Sequence, residues 1–382
     1  MIPYGRQQIS EDDITAVVKV LRSEFLTQGQ VVPKFESEIC NYTGSRHGVA
    51  VNSGTSALHI ACLALDLGKG DYLWTTPISF VASSNCGLYC GAKVDFVDIN
   101  PSTWNISVEK LEEKLVQAKI DNKLPKVVVV VHLCGLSCDM RAINKLSIQY
   151  GFSVIEDASH ALGGEYKDQP IGSGLYSEIT TFSFHPVKSI TTGEGGMAVT
   201  NNKKLAERMR LLRTHGITKS QMQMTRPSDG KWYYQQIALG FNYRISDIHA
   251  ALGVSQLQRL NDFIKKRSEI AKIYNDKFQN LPLQRQFHSR NTKSAHHIYV
   301  IRVDKGYRKK VIEELHLSGI QANVHYIPIY TQPFYQEMGF KAKDFPESEA
   351  YYDEAITIPI HPGMSDEQIN KVVEKLTLIL QA

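Results

Sequence analysis

The stretch "TTFSFHPVKSITTGEGGMAVTN", Thr180 to Asn201, decides how this chain is read. Two β-rich runs, "TTFSF" and "GGMAVTN", flank a turn that holds one lysine, Lys188. Burying an ammonium group without a partner is costly, and most lysines snorkel to solvent instead. The glycines that crowd in behind Lys188 leave backbone there with no side-chain cover. A lone amine between a strand and a glycine-rich turn therefore asks for a ligand, and the rest of the sequence must supply the other half of its site.

Upstream, "FSVIEDASHALGG" (Phe152 to Gly164) ends an apolar strand with Glu156 and Asp157. In α/β proteins, ligands bind at the carboxyl ends of parallel strands. A carboxylate there suits a cation or a protonated ring nitrogen. Asp157 or Ser159 could equally cap the next helix. His160 follows at a spacing that brings it over the same ligand, although a lone histidine is more often structural.

Further upstream, "VAVNSGTSALHIA" (Val49 to Ala61) runs from a strand through small polar residues into a helix. Ser53, Gly54 and Thr55 would offer backbone N–H groups and hydroxyls at a helix N-terminus, which is an anion site. A plain N-cap fits the same residues. Neither a Walker loop nor a G-x-G-x-x-G fingerprint is present. One cofactor asks for an anion cradle, a carboxylate and an amine together: pyridoxal 5′-phosphate.

The 382 residues suffice for two domains. Hydrophobic residues make 42% and charged residues 21%, the profile of a globular protein in water. A net charge of +4 with interspersed signs gives no footprint for nucleic acid. The amino terminus lacks the layout of a signal peptide, and the aliphatic run Val127 to Val131 is too short to span a bilayer. The expected location is cytoplasmic, with no membrane contact. Cys86 and Cys90 form one of two C-x3-C pairs, but in an apolar stretch they read as buried thiols on a helix face, with no metal.

Strand-like and helix-like segments alternate from "HGVAVN" through "FSVIED", which predicts an α/β fold with a mostly parallel central sheet covered on both faces. Ser10 and Asp13 predict a capping box for an opening helix whose apolar stripe is Ile14, Val17, Val18 and Leu21. The expected division is a large domain over 1–255 and a smaller α+β domain over 256–382. "HHIYVIRVD" and "QANVHYIPI" are its strand-like segments. Its last helix is capped by Ser365 and Gln368. Residues 218–236 read as a long loop.

Four ordered motifs, "NSGTSALHIA", "EDASHALGGEY", "SFHPVKSITTGEGG" and "GFNYRISDIHAALG", resemble the DegT/DnrJ/EryC1 family of sugar aminotransferases. The resemblance runs from "PYGRQQI" to "HYIPIY" and implies a fold-type I, aspartate aminotransferase-like architecture with pyridoxal 5′-phosphate. It makes Lys188 the Schiff-base lysine and Asp157 the partner of the pyridine nitrogen. Gly54 and Thr55 become the phosphate loop and Ser183 a further phosphate hydroxyl. Asn242 would reach the phosphate from a neighbouring subunit, so a homodimer is implied. His160 would pack near the cofactor ring and Phe80 would stack on it, where a core role for Phe80 is the alternative. Tyr4, Phe25, Leu26, Thr27, His325 and Tyr326 match motifs that border a nucleotide-sugar site, and His185 stands where an aromatic residue is common. Details such as "LTQG", "SFHPVK" and "RTHGI" are most similar to the branch that aminates C4 of a UDP-linked 4-keto-6-deoxy-N-acetylamino sugar in pseudaminic-acid biosynthesis, with L-glutamate as donor. Another 3- or 4-keto nucleotide sugar of the perosamine or 4-amino-arabinose type, or a non-catalytic cofactor-binding regulator, are the rival readings.

Overall fold

The computed structural model describes residues 1–381. Helix α1 (Glu11–Leu21) begins at Ser10 with the expected reciprocal capping box to Asp13. Its predicted stripe is not what docks. Ile14 and Leu21 are 47% and 53% exposed, while Val20 and Asp13 are buried. The reason is polar: the Asp13 carboxylate accepts from Gln256 and pairs with Arg259, which turns the Asp13 face inward. Helix α2 (Val31–Thr43) follows, its first turn held by the Asp247 carboxylate, which accepts from the Val31 and Val32 N–H groups.

The core element is a seven-stranded sheet. Its first five strands in sequence are β1 (His47–Val51), β2 (Tyr72–Thr75), β3 (Lys93–Phe96), β4 (Val127–Val131) and β5 (Ser153–Asp157). Between them run α3 (Gly54–Ala64), α4 (Ala82–Tyr89), α5 (Val108–Ile120) and α6 (Met140–Tyr150). The two-residue strands β6 (Glu165–Tyr166) and β7 (Gln169–Pro170) make a side hairpin, and β8 (Ile179–Ser183) and β9 (Gly196–Thr200) complete the sheet. The spatial order is β1-β9-β8-β5-β4-β2-β3, in which only β9 runs against its neighbours. This is the mostly parallel sheet the alternation predicted. The five consecutive valines of β4 make sense because both faces are covered. Val127 and Val129 pack with α3 and α4, and Val128 and Val130 pack with α5 and α6.

Helix α7 (Lys203–Arg213) leads to the segment read as a loop, which is a long excursion closed at its base by β10 (Ile217–Thr218) paired with β11 (Gln235–Gln236). The division expected at residue 255 falls inside α8 (Asp247–Leu257), which is followed by α9 (Leu260–Lys277).

A second core gathers Tyr274 of α9 and Phe278 at its C-cap, the antiparallel strands β14 (Tyr299–Val303) and β15 (Ala355–Ile358), and Leu315 of α10 (Arg308–Leu317). Strand β12 (Leu283–Arg285) edges this sheet, and β13 (Thr292–Lys293) pairs instead with β6. Ile2 at the opposite end of the chain packs into the same core. The terminal helix Asp366–Gln381 buries Ile369, Val372 and Leu376, with Ser365 and Gln368 bonded reciprocally at its start. "QANVHYIPI" forms no strand. Strand β15 takes the place beside β14, so only the single bridge Asn323–Thr357 forms, and His325 and Tyr326 turn towards the larger sheet. Among the described residues, no helix is long and apolar enough to cross a membrane.

Candidate active site

Three parallel strands end at one cavity of about 380 Å³: Val131 closes β4, Asp157 closes β5 and Ser183 closes β8. Tyr4, Ser53, Gly54, Thr55, Phe80, His160, His185, Lys188, His325 and Tyr326 line it as well. A larger recess of about 780 Å³ lies between Pro101–Ser102 and the β12–β14 edge, but neither a lysine nor a carboxylate lines it. Chemistry therefore favours the smaller cavity.

The anion cradle is built by close backbone approach. Ser53 is the N-cap of α3, and its hydroxyl accepts from the Ser56 N–H and bonds the Ser56 hydroxyl. The Ser53 side chain is thus spent on capping, as the plainer reading allowed. The N–H groups of Gly54 and Thr55, in the first helical turn, have no intrahelical acceptor, and both residues line the cavity. A Cβ on Gly54 would lie 2.9 Å from Ser183 Cβ, and one on Gly196 would lie 2.3 Å from Ser53 O. Those two glycines let the ends of β8 and β9 slide under the helix start. Of the "GEGG" run behind Lys188, Gly196 is the residue that makes this approach.

Asp157 is buried and held at both oxygens. The Ser159 hydroxyl and N–H donate to Oδ1, and the Ser83 hydroxyl of α4 donates to Oδ2 at 2.6 Å. An ionised carboxylate has about four acceptor sites, so one on Oδ2 remains for a ligand. Glu156 points through the other face of the sheet, to His132, Ser177 and Thr180.

Lys188 sits in the turn after β8, its N–H bonded to His185 O. Among the described residues its amine has no hydrogen bond or ion pair, not even to Asp157 across the cavity. Burial drives its pKa down to about 8, and the Asp157 charge only partly opposes this. The amine is therefore far closer to its neutral, nucleophilic form than an exposed lysine.

Aromatic and imidazole rings wall the opposite side. His160 Nε2 bonds the Tyr326 hydroxyl at 2.9 Å, and its ring lies 4.4 Å from that of His297. Burial first, and then the charge of Lys188 among others, holds His160, His297 and His325 in the neutral form. The Nδ1 atoms of His160 and His297 are buried without a partner. His325 bonds Thr357 Oγ1 at 2.9 Å, and Tyr4 lies 5.2 Å from its ring. Phe80 is 59% exposed and forms part of the cavity mouth, so it is no core residue.

Not every expected residue converges. Asn242 is exposed and outside the cavity, its carbonyl accepting from Asn52. Phe25, Leu26 and Thr27 are exposed and also lie outside it. Conversely, Ser79, Ser83, Ser159, Glu194 and His297 take part and were not singled out for the site. Ser159 had a local signal, two residues beyond a strand-end aspartate. Ser83 had none, because only the fold brings α4 to β5.

The sequence profile of the DegT/DnrJ/EryC1/StrS aminotransferase family matches residues 7–377. The chain belongs to this family. It is 38% identical over 385 residues to the UDP-4-amino-4,6-dideoxy-N-acetyl-beta-L-altrosamine transaminase of Campylobacter jejuni (strain 81-176), covering 100% of this chain and 98% of the relative. The solved structure of Helicobacter pylori PseC, an aminotransferase of pseudaminic-acid biosynthesis, superposes with TM-score 0.91 at 32% identity, covering 100% of this chain and 99% of that one. Spr1654 of Streptococcus pneumoniae in its PMP form superposes with TM-score 0.92 at 28% identity, covering 100% and 99%. The expected fold type I is the fold found, and the enzymes of this family are aminotransferases that use pyridoxal 5′-phosphate. The residues here fit that cofactor: N–H groups without an intrahelical acceptor at a helix start for a phosphate, a buried carboxylate with acceptor capacity left, an amine whose pKa burial lowers to about 8, and two orphaned imidazole nitrogens in the wall.

Proposed function

We propose that this aminotransferase takes an amino group from L-glutamate and delivers it to the C4 ketone of a UDP-linked 4-keto-6-deoxy-N-acetylamino sugar, as in pseudaminic-acid biosynthesis. The observation that carries the reading is the meeting of Lys188, Asp157 and the start of α3 around one cavity. The similarity to the Campylobacter transaminase and to PseC supports the acceptor.

In this reading the Gly54 and Thr55 N–H groups and the Ser183 hydroxyl hold the phosphate. Asp157 holds a proton on the pyridine nitrogen, and Ser83 and Ser159 fix the carboxylate so that it faces that proton. Phe80 and His160, the latter bonded to Tyr326, would pack against the ring. Pyridoxal phosphate, when bound, supplies a carbonyl that captures the donor nitrogen and a cationic ring that accepts electrons from the adjoining carbon. With the cofactor bound, Lys188 Nζ would take the proton from the donor α-carbon and hand it to the cofactor carbon that bore the carbonyl, a transfer that its depressed pKa favours. On the acceptor half the same amine runs the proton transfer in reverse, towards C4 of the sugar. Tyr4, His185, His325 and Tyr326 border the acceptor.

Asn242 and the segment Phe25–Thr27 act from the other copy of a homodimer. Consistent with this, Phe25, Trp232 and Leu239 are apolar side chains left 54%, 73% and 81% exposed in the protomer. Light scattering should give twice the chain mass. The chemistry is tested by incubating the holoenzyme with glutamate and a panel of 3-keto and 4-keto nucleotide sugars, with 2-oxoglutarate and product mass as readouts. Amination of the UDP-4-keto-6-deoxy-N-acetylamino sugar is expected; turnover of only a 3-keto or a non-UDP sugar would overturn the acceptor.

A further inference from the structure

The recess of about 780 Å³ between Pro101–Ser102 and the β12–β14 edge shares no lining residue with the cavity that holds Lys188. Its size is that of a small-molecule site. No carboxylate lines it, and Arg285 brings its one fixed charge. An anion therefore meets attraction from this wall and no opposing charge.

Arg285 ends β12 and donates from Nη1 to Asn275 O, in the last turn of α9, at 2.5 Å. That bond is the ordinary work of an arginine near a helix C-terminus. It leaves Nε and Nη2, and among the described residues the guanidinium has no carboxylate partner. The rings of His288 and His296 stack 5.3 Å apart at 26°. Neither imidazole is hydrogen-bonded among the described residues. Burial lowers the pKa of both, so each offers one N–H as a neutral ring. Gln286, by contrast, is spent on Thr103 O at 2.7 Å. Phe287 is fixed by its N–H to Ser102 O at 3.0 Å, and its ring stays 59% exposed at the border of this recess and a neighbouring cavity.

His296 reaches the recess by an unusual backbone. Its φ is 45°, in the left-handed region that large side chains rarely adopt. Ser294 Oγ accepts from its N–H at 3.0 Å and Arg267 donates to its carbonyl at 3.3 Å, which hold the bend. The bend puts consecutive side chains on different walls: His296 lines the recess and His297 lines the reaction cavity. Strain of this kind persists where a site uses the side chain that it aims.

We propose that the recess is a second ligand site, built for a nucleoside monophosphate. The free donors of Arg285 and the N–H groups of His288 and His296 hold the phosphate, and the base lies on the Phe287 ring. The recess is too large for a bare phosphate, and a single guanidinium suits one phosphate group better than a chain of them. Because the two cavities share no residue, this site stands whatever sugar the enzyme aminates.

The test is titration calorimetry of the pyridoxal-phosphate-loaded enzyme, in which the cofactor fills the other anion cradle. AMP, adenosine and inorganic phosphate are the titrants. One AMP per chain is expected, bound about tenfold or more tightly than either adenosine or phosphate. Arg285→Gln and Phe287→Ala should each weaken AMP about tenfold, through loss of a charged hydrogen-bond donor and of a stacking platform. Should Arg285→Gln not fold for want of its bond to α9, Arg285→Lys, which keeps the charge but not the fork, should weaken AMP in the same direction. No saturable AMP binding at millimolar concentration, equal affinity for AMP and phosphate, or AMP affinity unchanged in Phe287→Ala or in the Arg285 variant that folds would overturn the proposal.

Discussion

Ser83 donates a 2.6 Å hydrogen bond to Oδ2 of Asp157 from 74 residues upstream. Hydrogen bonds to charged groups are worth about 1.5–3 kcal/mol. Ser83→Ala should keep bound cofactor, read from its visible absorbance, while turnover falls about tenfold. Asp157→Ala should also retain cofactor, with turnover down on the order of a thousandfold, the scale of losing a positioned acid–base group. Near-normal turnover in the second variant would remove the carboxylate from the chemistry.

The pKa of Lys188 is lowered by burial to about 8. Cofactor capture by apoenzyme should therefore quicken as pH rises and level off just above that value. The linked stability effect has a definite sign. Between about pH 8 and the unfolded lysine value near 10.4, the unfolded chain binds more protons, so apoenzyme stability rises through that window. In Lys188→Met the rise should vanish in denaturant titrations, and mass spectrometry after borohydride reduction should find no trapped cofactor.

Gly196 lies where a Cβ would meet Ser53 O at 2.3 Å and Gly54 N at 2.7 Å. Both are backbone atoms and cannot swing aside. Gly196→Ala should cost about 1–3 kcal/mol of stability. Cofactor affinity should fall more than in Gly151→Ala, where a Cβ meets nothing within 4 Å and only the left-handed backbone resists.

Behind the cavity, buried Glu156 accepts from His132, Ser177 and Thr180. Burial opposes its charge, but these bonds outweigh it and hold its pKa below the ordinary value. Its contribution is present above the unfolded pKa near 4.3 and is lost as pH falls through the folded value. Glu156→Ala should destabilise by about 3–5 kcal/mol at pH 7, as breaking a buried charged cluster does. It should also flatten the acid limb of the unfolding curve.

Much of this was legible in the chain because the decisive signals are local. The β4 valines, the Ser10 and Ser365 caps and the strand-ending Asp157 need only their neighbours to be read. What escaped depends on distant partners. The outward turn of Ile14 and Leu21 follows from Asp13 meeting Gln256 and Arg259, more than 240 residues away. The failure of "QANVHYIPI" to form a strand follows from β15 occupying the edge first. His297 joins the cavity because its segment closes over Cys134, a contact no periodicity encodes.

Arg267 of α9 is buried and donates to the carbonyls of His296, His297 and Ile360. It grips only main-chain oxygens, which every residue carries. Exchange of side chains at 296, 297 or 360 would thus leave the grip intact. Of the three, only His297 lines the reaction chamber, so that one position of its wall can be rewritten while its mounting stays fixed.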